Sequence, residues 1–182
     1  MQIKNTKKLF IFCFLNLFLI NLNLNAEEFD IKAKEILVDK ENEIIVGKGS
    51  VQAIDSEGKL IKADKITYDK SREFLTAEGN VKVSDIDGNI LKSDKITYDK
   101  VIEIITSFKD TELLLNEGYK LITKDVSYNA FEKILSSNKN SIFTDNDGNI
   151  AETNMFHYDI KNNLFSSVGK IKVIDIKKNK YF

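Results

Sequence analysis

The chain has 182 residues, of which 42% are hydrophobic and 30% charged, with 27 basic against 28 acidic side chains, one cysteine and one histidine. A balance this close to neutrality gives no electrostatic footprint for nucleic acid. One cysteine and one histidine exclude a disulfide framework and make a zinc site of the usual type untenable.

The first predicted element is a leader. Lys4, Lys7 and Lys8 precede an apolar run over residues 9–20 and a polar stretch ending in Ala26. This is the layout of a secretory signal peptide over residues 1–26, cleaved after Ala26. The apolar run is too short for the roughly 20 residues that span a bilayer. The residues before Cys13 are Phe-Ile-Phe, which do not form a lipoprotein box. Cleavage removes three lysines and the cysteine, so the mature chain is mildly acidic and has no thiol chemistry. The expected location is the periplasm, with association to the outer membrane as an extension of it.

From residue 31 a thirty-residue period takes over. Residues 61–90 read IKADKITYDKSREFLTAEGNVKVSDIDGNI, and the next block opens LKSDKITYDK. Gly58, Gly88, Gly118 and Gly148 keep the spacing, as do Tyr68, Tyr98, Tyr128 and Tyr158. A fixed period of this length means one small unit stacked on copies of itself, because no single unit can bury its apolar face alone. Within a unit, residues 75–83 alternate apolar and polar, the pattern of a half-buried strand. Residues 61–68 also alternate, with one slip of parity between Ala63 and Ile66. That slip predicts a β-bulge or a sheet corner at Asp64 and Lys65. DKSR at 69–72 and DIDGN at 85–89 are turns, the second using Gly88 at positive φ. The predicted fold is all-β: an elongated antiparallel stack of about five two-strand repeats, forming one domain over residues 27–182. The glycine site of Gly49, Gly79 and Gly169 becomes Lys109 and Lys139, which predicts irregular strands there.

The apolar positions fall into ladders that point inward. Ile36, Ile66, Ile96, Val126 and Phe156 share one site. Ile45, Leu75, Ile105 and Leu135 share another, and Tyr68, Tyr98 and Tyr128 a third. Val83, Leu113 and Phe143 form a fourth, with Val51 and Val81 beside them. Periodicity alone leaves two readings open: a dry core, or an apolar groove able to hold a lipid chain. His157 takes an outward strand position. Asp64-Lys65 and Asp94-Lys95 recur with the repeat and read as corner ion pairs. Asp87 and Asp147 read as turn formers, in loops without the dense acidic spacing of a calcium site. The chain has no nucleophile elbow, phosphate loop or base-and-nucleophile set. The expectation is therefore a protein that is not an enzyme, with no cofactor and no metal.

The register IKADKITYDK, LTAEGNVKV and DGNILKSDKITYDK resembles the OstA-like domain family of lipopolysaccharide transport. That family comprises LptA-type bridge proteins and the N-terminal domain of LptD-type assembly proteins. The resemblance is strongest over residues 29–105, and its wording is closer to the LptD type. It implies a twisted β-jelly roll and an interior groove, lined at the ladder positions above, for the lipid A acyl chains of lipopolysaccharide. It also implies end-to-end docking with other jelly-roll transport proteins through terminal strand edges, with an outer-membrane barrel or its lipoprotein partner as further neighbours. Tyr181 and Phe182 stand where a sixth repeat would begin, so the expectation from this resemblance is a truncated LptD-like chain, with a free-standing LptA-like bridge as the alternative within the family. The alternative of another class is a structural β-stack, such as a surface or adhesin-like segment, with a closed core and no ligand.

Overall fold

A computed structural model describes residues 29–181; the predicted leader with Cys13, and Phe182, lie outside them. Sixteen antiparallel strands form one curled sheet. The first half holds β1 (Asp30–Lys32), β2 (Glu35–Asp39), β3 (Ile44–Ile54), β4 (Leu60–Asp69), β5 (Phe74–Ser84), β6 (Ile90–Asp99) and β7 (Ile104–Leu114). The second half holds shorter strands: β8 (Lys120–Lys124), β9 (Val126–Asn129), β10 (Ile134–Ser137), β11 (Ser141–Thr144), β12 (Ile150–Thr153), β13 (Phe156–Asp159), β14 (Leu164–Ser167), β15 (Ile171–Ile174) and β16 (Lys180–Tyr181).

Each of β3 to β7 runs through a corner and so belongs to two limbs. Beyond β7 the sheet divides. One path continues β7-β8-β11-β12-β15-β16, the upper limb. The other continues β7-β9-β10-β13-β14, the lower limb. The limbs face each other across the core, since Phe143 of β11 packs on Phe156 and Phe165 of β13 and β14 at 5.2 and 4.8 Å. This is the predicted two-strand repeat for the first half. In the second half each strand of the repeat is broken in two at the corner.

The corner lies at the predicted residues, but the extra residue does not. Gly49 and Ser50 of β3 together face the single residue Asp64, and Gly79 and Asn80 of β5 together face Asp94. The bulge is thus on the strand opposite Asp64-Lys65. The reason is backbone conformation. Both residues of each bulge have positive φ (77° and 48° at Gly79 and Asn80), which Gly and Asn tolerate best. A side chain at Gly79 would also collide with the Asp64 carboxylate.

Lys109 takes φ 65° at the same site, and β7 stays unbroken through it. The expected irregularity there is therefore a bulge, whereas at Lys139 the strand does stop, between β10 and β11. The break begins at Asp125, where the Asp-Lys order of earlier corners is reversed to Lys124-Asp125. Asp125 has φ 53°, accepts the Lys109 N–H with its carboxylate at 2.8 Å, and donates its own N–H to the Lys109 carbonyl at 3.2 Å. That reciprocal pair replaces the continuous ladder.

The turns correct a second expectation. The first aspartate of each DxDGN loop organises it, not the second. Asp145 accepts the N–H groups of Asp147 and Asn149 at 3.0 and 2.8 Å and the Asn149 amide at 2.8 Å. Asp85 binds Asn89 in the same way. A carboxylate reaching forward to backbone N–H groups closes the loop, and Asp87 and Asp147 are exposed residues of the same turns. The corner lysines Lys65 and Lys95 both reach Glu78 on the neighbouring strand, at 3.4 and 3.0 Å. These two lysines hold the Glu78 carboxyl below its ordinary value, Lys95 more than Lys65.

Candidate functional site

The seam between the limbs is the candidate site, and its lining is set by the strand register. Nearest the corner in the lower limb, large and small side chains alternate from strand to strand. Ile66 pairs with Gly47 and Ala77, Ala77 with Ile96, and Ser137 with Val126 and Phe156. The limbs converge here, so a large residue on every strand would not fit. A Cβ on Gly47 would already stand 2.8 Å from Val51. Further out, the lower limb carries large side chains on every strand. Tyr68 lies between Ile45 and Leu75, Tyr98 between Leu75 and Ile105, and Tyr128 between Ile105 and Leu135. The facing column of the upper limb runs through Val83, Leu113 and Phe143.

The ladder residues differ in how far they are covered. Val51, Ile66, Leu75 and Ile96 are fully buried. Tyr68, Val81, Val83, Tyr98, Ile105, Leu113, Val126, Leu135 and Phe156 are also core. Ile45, Tyr128 and Phe143 are half-buried. Ile36 departs from the expected inward position: it keeps its column, opposite Gly47, but is 45% exposed. It lies on β2, which among the described residues pairs only with β3 and so stands at the edge of the sheet. His157 is outward and exposed, as expected.

The second and third repeats are thus the most fully filled, while the fourth and fifth keep an opening beside their buried Leu135 and Phe156. Between the limbs of the second half lies a cavity of about 220 Å³, lined by Tyr119, Phe143, Tyr158, Phe165 and Val173 with Asn149 and Asn163 at its edge. Its aromatic walls are packed on one another: Phe165 stacks on the neighbouring Phe156 at 5.9 Å, and Phe143 meets both edge-on. A second hollow of about 810 Å³ lies where the short strands part at the corner, between Ile122, Ile142 and Ile171 and the polar Asp110, Lys124 and Lys172.

Two features were not legible in the period. The corner core changes chemistry along the stack. Positions apolar in Val51, Ala63 and Val81 become Ser93, Thr111, Thr123, Ser141 and Thr153. These hydroxyls bond one another around the corner: Thr111 to Ser107 on the same strand at 2.8 Å, Thr123 to Ser137 of the lower limb and Ser141 of its own limb at 3.2 and 2.7 Å, and Thr153 to Ser167 of the lower limb. Among the described residues no buried side-chain polar atom lacks a partner.

The second feature is Phe29, which precedes β1. It is buried edge-on against Tyr68 at 5.1 Å and Tyr98 at 6.0 Å, beneath Lys100. Beside it, the Lys59 ammonium is bound by Asp55 at 3.3 Å and donates to the Tyr98 hydroxyl at 3.0 Å, and that hydroxyl donates to Glu103 at 2.7 Å. Burial, and then the Glu103 carboxylate, push the Tyr98 phenol well above its ordinary value of 10.0. Among the described residues no three His, Cys, Asp or Glu side chains converge as metal ligands.

No protein-family profile matches the chain. No curated protein matches it by sequence. Solved structures do match. One is the crystal structure of LptH, the LptA-homologous periplasmic component of the lipopolysaccharide transport device of Pseudomonas aeruginosa. It aligns over 82% of this chain and 96% of that one, with a TM-score of 0.50 and 13% identity. The shared property is the fold, an LptA-like β-jelly roll without helices among the described residues.

Proposed function

We propose that this protein is a periplasmic carrier module for lipopolysaccharide, holding lipid A acyl chains in the seam during transport to, or assembly at, the outer membrane. The observation that carries the reading is the aromatic cavity between the limbs, in a fold shared with a periplasmic transport component. Each methylene moved from water into such a cavity contributes about 0.8 kcal/mol, so a twelve-carbon chain gains roughly 10 kcal/mol before ordering costs. The sheet also has strand edges at both ends. There β2 and β14 each pair with a single strand among the described residues. Such edges accept further strands. End-to-end docking onto other jelly-roll modules, an outer-membrane barrel or its lipoprotein partner follows from this. The signal-peptide layout of residues 1–26 supports the location.

The test is photo-crosslinking to purified lipopolysaccharide from benzoylphenylalanine placed at Phe143 or Phe165, with outward Thr67 as the control. Adducts confined to the two inward positions are expected. Equal adducts from Thr67, or none from any position, would reject the carrier reading. The complete burial of Ile61, Ile66 and Leu75 favours the second reading, a structural stack with a closed core, and that reading predicts no adduct anywhere.

A further inference from the structure

One residue per repeat stands at the lip of the seam, where the DGN turn enters the upper limb. Phe29, Lys59, Asn89, Tyr119 and Asn149 share this position, thirty residues apart. The residue thirty-nine further on is the tyrosine of the opposite lip: Tyr68 for Phe29, Tyr98 for Lys59 and Tyr158 for Tyr119. The repeat therefore offers the same cross-seam pair several times, with different chemistry each time.

In the first two pairs the lips meet. The Phe29 ring lies 5.1 Å from Tyr68, and the Lys59 ammonium lies 3.0 Å from the Tyr98 hydroxyl. Both lip residues are buried, at 6% and 8% exposure. The Tyr98 hydroxyl then passes a hydrogen bond to Glu103, so the closure ties the upper turn to the lower one. At the pair sixty residues beyond Lys59 and Tyr98, the Tyr158 hydroxyl turns instead to Asn163 of its own limb, at 2.9 Å. There the space between Tyr119 and Tyr158 is the 220 Å³ cavity. One repeat position is thus shut by an aromatic ring and a buried ammonium at one end of the stack, and open at the other.

We propose that Phe29 and Lys59 form a clasp that shuts the first repeats of the seam. An apolar chain then enters sideways at the fourth and fifth repeats, and reaches the β1 end only when the clasp opens. This rests on the carrier reading above. The clasp is built to open without disturbing the sheet. Phe29 precedes a three-residue edge strand that pairs only with β3, and no ladder hydrogen bond depends on its ring. An acyl chain offers Tyr68 and Tyr98 the same kind of apolar surface as the phenylalanine it would displace. Lys59 keeps its Asp55 partner when it releases Tyr98, so the ammonium is never left bare.

The experiment uses the mature chain with benzoylphenylalanine at Ile45, in the closed half, or at Phe165, in the open half. These are the same repeat position, and both are half-buried. Dispersions of purified lipid A serve as the probe. The intact chain is expected to label from 165 several times more strongly than from 45. Phe29→Ala and, independently, Tyr98→Phe should each raise labelling at 45 by about threefold or more, because the competent fraction grows. Labelling at 165 should stay as it was. Phe29→Trp, which retains an aromatic plug, should keep position 45 quiet. The clasp is overturned if position 45 labels as strongly as 165 in the intact chain. It is also overturned if neither opening variant moves position 45 while 165 still labels. Silence at both positions in every variant overturns the carrier reading itself, a separate result. Unchanged labelling at 165 serves as the check that each variant has folded.

Discussion

Removing one hydroxyl should cost very different amounts at two tyrosines that occupy the same repeat position. Tyr98 and Tyr158 are sixty residues apart, and both are buried. The Tyr98 hydroxyl accepts from the Lys59 ammonium and donates to the Glu103 carboxylate, whereas Tyr158 donates to the neutral Asn163 amide. A neutral hydrogen bond contributes about 1 kcal/mol net, and one to a charged group about 1.5–3 kcal/mol. Tyr98→Phe loses two of the charged kind. Glu103 is half-exposed and rehydrates, so its share is small, and Lys59 keeps Asp55. The expected cost is about 3 kcal/mol for Tyr98→Phe and about 1 kcal/mol for Tyr158→Phe.

Urea unfolding of the mature chain, with the slope checked for constancy, reads both. The alkaline limb supplies a second signature. The Tyr98 phenol is raised in the folded state, so the unfolded chain loses this proton near pH 10 while the folded chain keeps it. Stability is then fully present below that pH and falls as pH rises toward the folded value. Tyr98→Phe should flatten this fall. Equal costs at the two tyrosines, or an alkaline limb that Tyr98→Phe leaves unchanged, would refute the account of the Tyr98 hydroxyl as a link between the limbs.

Leu75→Ala, at a fully buried position of the filled half, should cost about 3 kcal/mol in the same urea assay. Gly79→Ala should destabilise by at least about 1 kcal/mol through its left-handed backbone, while Lys109→Gly at the equivalent site should stabilise by about 1 kcal/mol. Melting temperatures of the two variants should move in opposite directions. Asp145 is held below the ordinary carboxylate value, chiefly by its hydrogen bond from the Asn149 side chain. Its contribution is present above about pH 4 and is lost as pH falls through the lowered folded value. Asp145→Asn should therefore weaken the acid dependence of the melting temperature between about pH 4 and 2.

The ladders were legible because two regularities coincide, a thirty-residue period and a two-residue alternation, so position in the repeat determines position in the sheet. Ile66, Leu75, Tyr98 and Val83 fell into registered columns for that reason. What the period does not encode is contact between limbs. Phe29 shares its site with Lys59, Asn89, Tyr119 and Asn149, residues with no common chemistry, so no ladder marks it as core. Its burial comes from Tyr68 and Tyr98, which only the curl of the sheet brings near. The bulge was assigned to the wrong strand because alternation registers a slip between two strands without saying which carries the extra residue. The positive φ of Gly79 and Asn80 decides it. The hydroxyl core of the later corners was hidden too, since Ser107 and Thr123 stand at the repeat positions of Ala77 and Ala63 and the period does not say which hydroxyls pair there.

The division of the sheet after β7 has a mechanical consequence. From β3 to β7 a single strand of ten or eleven residues passes through both limbs, so the two cannot be spread there without bending all five strands at once. In the second half the limbs are separate four- and five-residue strands, joined at the corner by short connections and by paired hydroxyls. That half is a hinge and the other a brace. Under a load that pries the limbs apart, such as a bulky headgroup wedged at the lip, the angle widens from the β16 end and stops at β7. The width of the mouth at the β16 end can then change while β3 to β7 keep their shape.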